Sequence, residues 1–285
     1  MTKNVISSFI NAARDLWRGW PALGVLAALY AALLGGCYLF ITTREATVWQ
    51  LGLTALLALA VPVLLFVLLA GSARVAVGPQ TRPLSLLAQA LTTGWKIFLV
   101  SLPLVGLAVA LVYGAEKLEN RVKPSAEEVA ERREQLREAA QSETAVEPSA
   151  PPVRWKYVGV VALELLLLGV VLPLFAAGLW LAVARDGLGK ALRRLGSTLA
   201  LALAPQSVLT YAAGMILFAL VPYFLIYKTT PTESNWLELA LFTLRLALAF
   251  ALTLFGWTLT LRALERQTPG GLPAAAGDAA TAEGV

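Results

Sequence analysis

The stretch "VWQLGLTALLALAVPVLLFVLLAG" (residues 48–71) contains no charged residue. A helix needs about twenty apolar residues to cross roughly 30 Å of hydrocarbon, so this stretch is long enough to span a bilayer. Runs of the same kind lie on both sides of it. Together they place six spanning helices, at roughly 21–42, 48–71, 96–115, 157–181, 206–227 and 236–260. In a chain of 285 residues, 58% hydrophobic and 14% charged, that many runs cannot be hidden inside, so the surface itself must be apolar. A membrane β-barrel would alternate apolar and polar residues over about ten positions. Continuous Leu and Ala fit helices, which satisfy their backbone polar groups internally. The expected fold class is all-α: a polytopic membrane bundle of six transmembrane helices, with amphipathic interfacial helices and a tandem hairpin repeat.

Composition also removes chemistry. The absence of histidine excludes His-ligated zinc and most nucleophilic triads. The single cysteine, Cys37, lies in an apolar run, where a thiol packs and stays inert. There is no Gly-rich phosphate loop and no CxxC. No catalytic residue, metal ligand or cofactor is expected, and the protein is read as non-enzymatic.

Lys and Arg near the helix ends give the orientation. Lys3, Arg14, Arg18, Arg74, Arg82, Lys96, Arg185, Lys190, Arg193, Arg194, Arg262 and Arg266 gather on one side, against Arg44 and Lys228 in the short loops of the other. Both termini are therefore expected in the cytoplasm, with the chain in the membrane that bounds it. The net charge of +5 is accounted for by these loops and implies no nucleic acid. The first span lacks a cleavage site and is longer than the apolar region of a signal peptide, so it is read as retained.

The resulting organisation is an amphipathic interfacial helix over 1–19, membrane helices one to three over 20–115, a polar extracytoplasmic loop over 116–156, membrane helices four to six over 157–266, and a disordered tail over 267–285. Ile6, Ile10, Ala13 and Trp17 share a helical face in the first segment. Leu84, Leu87, Ala88 and Leu91 repeat that spacing after span two, and Leu188, Ala191, Leu192 and Leu195 after span four, opposite Lys190, Arg193 and Arg194. Those three bases are expected to face anionic lipid. Within the polar loop, "SAEEVAERREQLREAAQ" (125–141) reads as a solvated helix with a Glu128–Arg132 pair. This loop and the cytoplasmic amphipathic helices are the surfaces a protein partner would use.

Two hairpins look like copies. "VPVLLFVLLAGSARVAVG" (61–78) and "LPLFAAGLWLAVARDGLG" (172–189) share a proline, an Ala-Arg pair and a glycine at the same spacings. Pro62 and Pro173 fall at matching points and are read as helix kinks.

"ARDLWRGWPALGVLAALYAALL" (13–34) and "ARDGLGKALRRLGSTLALALAP" (184–205) resemble bacterial six-helix membrane proteins related to the membrane domain fused to some glycerophosphodiester phosphodiesterases. The resemblance implies a fold and no catalytic residue, since the phosphodiesterase chemistry belongs to a separate soluble domain.

Two charges interrupt the apolar runs, Glu164 in "VALELLLLGVV" and Arg245 in "LFTLRLALAF". Counted from Tyr157 and Trp236, each lies roughly 10–14 Å below the outer boundary. A lone charge there costs about 2.5 to more than 10 kcal/mol, which a carboxylate–guanidinium pair offsets. The pair is expected to clamp helices four and six. The alternatives are a pair lining a polar transport cavity with the Pro62 and Pro173 kinks, or two charges that never meet. Charge removal tests the pairing: Glu164→Gln and Arg245→Leu each lower the folded yield in detergent, and the double change recovers part of it. Strictly additive losses would refute the pair. The function expected is thus an accessory or scaffold component of the membrane, with a small transporter or permease subunit as the alternative.

Overall fold

The computed structural model describes residues 2–43, 47–78, 82–122, 130, 134, 155–228 and 234–268. The helix expected over 125–141, apart from 130 and 134, and the tail from 269 lie outside the described residues. Chain order is α1 (Thr2–Arg18), α2 (Trp20–Thr42), α3 (Val48–Val77), α4 (Pro83–Val122), α5 (Trp155–Leu166), α6 (Leu172–Asp186), α7 (Leu188–Arg193), α8 (Leu195–Ala202), α9 (Pro205–Met215), α10 (Val221–Tyr227) and α11 (Asn235–Glu265). Single π-helical turns, Leu167–Val171 and Ile216–Leu220, join α5 to α6 and α9 to α10. Among the described residues no strand occurs.

Six helical stretches are long and apolar enough to cross a membrane, in the order the sequence predicts. The departures are at their ends. The third span and the amphipathic segment before it form one helix, α4, of 40 residues. At 1.5 Å per residue that is about 60 Å, well beyond the hydrocarbon thickness. Nothing between Leu84 and Pro103 breaks it. The corresponding segment after the fourth span is cut into α7 and α8. Gly187 opens α7 with φ +81°, and Pro205 starts α9 afresh. Aligned on Pro62 and Pro173, these breakers stand opposite Ala76 and Gly94, so the two copies share a proline and an arginine but not their helix breaks.

The prolines also behave differently. Pro62 lies inside the continuous α3. Pro173 and Pro222 each follow a π-turn, where the N–H groups of Leu172 and Val221 reach back to Leu167 O and Ile216 O. A proline ring crowds the carbonyl four residues earlier, and one wider turn makes room for it.

By internal contacts the chain forms two compact bodies, Met1–Pro103 with Pro173–Val285, and Leu104–Leu172. In the first, α11 packs on α1, α2, α3, α9 and α10. Its core lies at one end of the helices, where Ala12 and Leu16 of α1, Leu26 of α2, Val75 of α3, Leu86 of α4 and Leu259 and Ala263 of α11 meet. Toward the other end most side chains stay exposed. Only 22% of the most apolar window of Pro205–Tyr227 is buried. Lipid tails are as apolar as leucine, so no hydrophobic force drives these faces together. In the second body, Tyr157 donates its hydroxyl to Glu119 Oε1 at 3.2 Å, tying α5 to the far end of α4.

The amphipathic segments present two apolar faces each. In α1, Val5, Ala12 and Leu16 are buried against the bundle while Ile6, Ile10 and Trp17 are exposed. In α4, Leu86, Ala90 and Ile97 are buried while Leu84 and Leu91 are exposed. The faces singled out by sequence spacing are thus largely the outward ones, as a helix lying at a bilayer surface requires.

Candidate functional site

The last two turns of α11, Thr258 to Glu265, are buried throughout. This segment carries Arg262 and Glu265 into the packed end of the first body, and each charge meets a partner there. Arg262 is 4% exposed. Its Nη1 donates to Ala76 O of α3 at 2.5 Å, and its Nη2 to Asp15 Oδ2 of α1 at 3.1 Å. Arg266 donates to the same Asp15 oxygen. One carboxylate oxygen thus holds two guanidinium groups and links α1, α3 and the end of α11. Two cations at a helix C-terminus also suit the sign of its dipole. Burial alone would raise the pKa of Asp15, but the hydrogen bonds from Arg266 and Arg262 and their charges outweigh it. The net result lies below the ordinary carboxylate value.

A second set of charges continues from Glu265. Arg185 Nη1, from α6, donates to Glu265 Oε1 at 2.9 Å, and Arg185 Nε reaches Asp186 Oδ2 at 3.3 Å. Arg194 Nη1 stands 3.6 Å from the same Asp186 oxygen. Neighbouring polar groups close on one another: Arg74 Nε donates to Thr93 Oγ1 at 3.0 Å, and Gln267 Nε2 to Thr210 Oγ1 at 2.6 Å. The arginines shared by the two hairpin copies, Arg74 and Arg185, therefore both point into protein. Among the described residues, four buried side-chain atoms remain without a partner: Ser72 Oγ, Arg262 Nε, Arg266 Nε and Glu265 Oε2.

Two cavities of the first body bear on function. One, of about 250 Å³, is lined by Arg185, Arg194, Ser197, Thr198, Glu265 and Thr268 on its polar side. The other, of about 240 Å³, is an apolar groove between α3 and α4, with Pro62, Phe66, Trp95 and Phe98 among its walls. Pro62 thus borders hydrocarbon-like surface, whereas the polar cavity lies at the charged end.

Lys190, Arg193 and Arg194 are all exposed, on α7 and directly after it. Arg245 lies in α11 and donates from Nε to Leu241 O at 3.2 Å and from Nη1 to Lys228 O, so two of its donors are held by backbone carbonyls of the first body. Glu164 lies in α5, in the second body and half-buried. The lattice around Asp15, Arg262, Arg185 and Glu265 was missed by spacing, since its partners lie 80 to 251 residues apart in the chain. Its signal was the acids. In the described chain the basic end holds Asp15, Asp186 and Glu265, and every one of them is paired with arginine. Among the described residues no group of three His, Cys, Asp or Glu side chains that could hold a metal ion is found.

Fold and site together define a multi-pass membrane protein of six helices, with a charged lattice at one end of its bundle. No protein family, curated protein or solved structure matches the chain.

Proposed function

We propose that this protein is a non-enzymatic accessory or scaffold component of the bacterial inner membrane, with both termini cytoplasmic. The observation that supports this reading is the charged lattice: its acids and the arginines they hold join α1, α3, α6 and α11 to one another. Groups used in this way fix a platform at the membrane surface. On that platform the exposed faces of α1 and α7 meet lipid headgroups or a partner, and Lys190, Arg193 and Arg194 supply the attraction to anionic lipid. The groove beside Pro62 is apolar, which favours the scaffold over the permease reading for that site. The resemblance to the membrane domain of some glycerophosphodiester phosphodiesterases belongs to the same proposal, as a shared fold without the catalytic domain.

Thiol labelling separates the readings. In a Cys37→Ala background, Thr54→Cys, Leu168→Cys and Leu241→Cys are expected to stay unlabelled by an impermeant reagent in native membranes. A cysteine at position 140 labels in intact cells, and Lys190→Cys labels only after permeabilisation. Labelling of 168 and 241 at rates near that of position 140 would establish a water path and replace the scaffold by a transporter. Labelling of 190 in intact cells would invert the topology.

A further inference from the structure

The charges beside the polar cavity form a chain with two open ends. It runs from Glu265 to Arg185 at 2.9 Å, on to Asp186 at 3.3 Å, and ends at Arg194. At the first end, Glu265 is 3% exposed and its Oε2 has no hydrogen-bond partner. A buried carboxylate oxygen left bare is expensive, and native structures rarely leave one so. At the second end, the Arg194 side chain is 64% exposed, and its contact to Asp186, at 3.6 Å, is longer than a hydrogen bond. One cavity is therefore lined by a carboxylate with one oxygen unpartnered and by a guanidinium with N–H groups to spare.

Three hydroxyl groups also line the cavity, beside the apolar Leu181, Ala182 and Leu201. Ser197 and Thr198 send their hydroxyl protons to Arg194 O at 2.9 and 3.0 Å, and Thr268 sends its own to Leu264 O at 3.4 Å. What these oxygens have left to offer is lone pairs. The cavity is also placed at the ends of two spanning helices, since Arg185 lies in the last turn of α6 and Glu265 closes α11. Those ends mark the level of the lipid headgroups.

We propose that this cavity binds the headgroup of a zwitterionic phospholipid bearing a primary amine. The ammonium brings three N–H donors to Glu265 Oε2 and the hydroxyl oxygens. The phosphate takes the free N–H groups of Arg194, a geometry guanidinium favours. A quaternary ammonium has no N–H to give, and an uncharged glycerol headgroup brings no cation to the Glu265 oxygen that Arg185 leaves unpaired.

The test is lipid retention by the full chain in detergent, measured by native mass spectrometry against phosphatidylethanolamine, phosphatidylcholine and phosphatidylglycerol, with soluble phosphoethanolamine as a fourth arm. Phosphatidylethanolamine is expected to be retained about tenfold or more over phosphatidylcholine, as one or two charge-assisted hydrogen bonds imply, whereas retention of phosphatidylglycerol, which Lys190 and Arg193 also attract, should fall in Arg193→Gln. Arg194→Gln and Thr198→Val should each abolish that preference while leaving the lipid-free melting temperature unchanged. Arg193→Gln, next in sequence but outside the cavity lining, should leave the preference intact. Equal retention of the ethanolamine and choline lipids would overturn the proposal. So would equal losses in Arg193→Gln and Arg194→Gln, which signify diffuse charge. Soluble phosphoethanolamine binding as tightly as the lipid would overturn the lipid as its source.

Discussion

Replacing Arg262 by methionine lowers the stability of the folded chain by about 3–5 kcal/mol, the usual cost of leaving one member of a buried charged group behind. The substitution keeps the length and apolar stem of the side chain, so the loss reports the guanidinium. It strips Ala76 O and Asp15 Oδ2 of a donor at once. Denaturation in mixed micelles gives the magnitude, and trypsin cleavage after Arg14 or Arg18 reports release of α1. Arg266→Gln removes a partner of Asp15 without touching Ala76 O, so a smaller loss is expected. Equal effects of the two substitutions would mean that the bond to α3 contributes nothing. The same lattice predicts an acid limit. Because the pKa of Asp15 is lower folded than unfolded, its contribution is fully present above the unfolded value of about 4. It is lost as pH falls through the folded value. Asp15→Asn should flatten that part of the stability profile.

A contrast between two glycines gives the second large effect. At Gly214 an added Cβ would lie against Thr260 Oγ1, 2.5 Å from Thr260 Cγ2 and 2.8 Å from its Cβ, whereas at Gly256 it would lie 3.1 Å from both N and Cβ of Phe218 and 3.2 Å from Leu217 C. One glycine meets a side chain and the other meets main chain, where the π-turn Ile216–Leu220 presses on α11. Both alanine substitutions are expected to cost about 1–3 kcal/mol by overpacking. Gly214→Ala should be partly rescued by Thr260→Ala, because Thr260 Oγ1 and Cγ2, the two nearest obstructing atoms, are then gone and only Cβ remains. Gly256→Ala should resist every side-chain truncation at Phe218, since the backbone cannot be trimmed. Thermal melts of the two double-mutant sets decide it, and rescue at both sites would refute the main-chain contact.

The spans were legible because twenty apolar residues in a row have one stable use, and the order of all six followed from that. Their ends were less so. Hydropathy stops where charge begins, but a helix stops only where its backbone does. The stretch from Leu84 to Pro103 therefore read as two elements and folds as one. After Asp186, by contrast, Gly187 and Pro205 do break the chain. Amphipathic spacing found the outward stripe of α1 and α4 and overlooked the second stripe, in which Ala12 and Ala90 stand among Leu16 and Leu86 and pack on the bundle. Small residues carry little hydrophobic signal, yet they allow the closest approach between helices. The charged lattice escaped for a different reason. Arg262 and Arg266 count toward topology wherever they sit, and their partner Asp15 lies 247 residues before Arg262, beyond any periodicity.

That separation bears on how the protein is made. A ribosome working at roughly 5–20 residues per second needs about 12–50 seconds to travel from Asp15 to Arg262. During that interval α1 to α4 emerge in turn, and the end of the helix that will fill their shared core has yet to be synthesised. Asp15 and Ala76 O wait unpaired while they do so. The nascent chain is thus most exposed to quality-control proteases just before its final helix arrives. A message truncated ahead of Asn235 would yield spans able to insert but unable to close around one another.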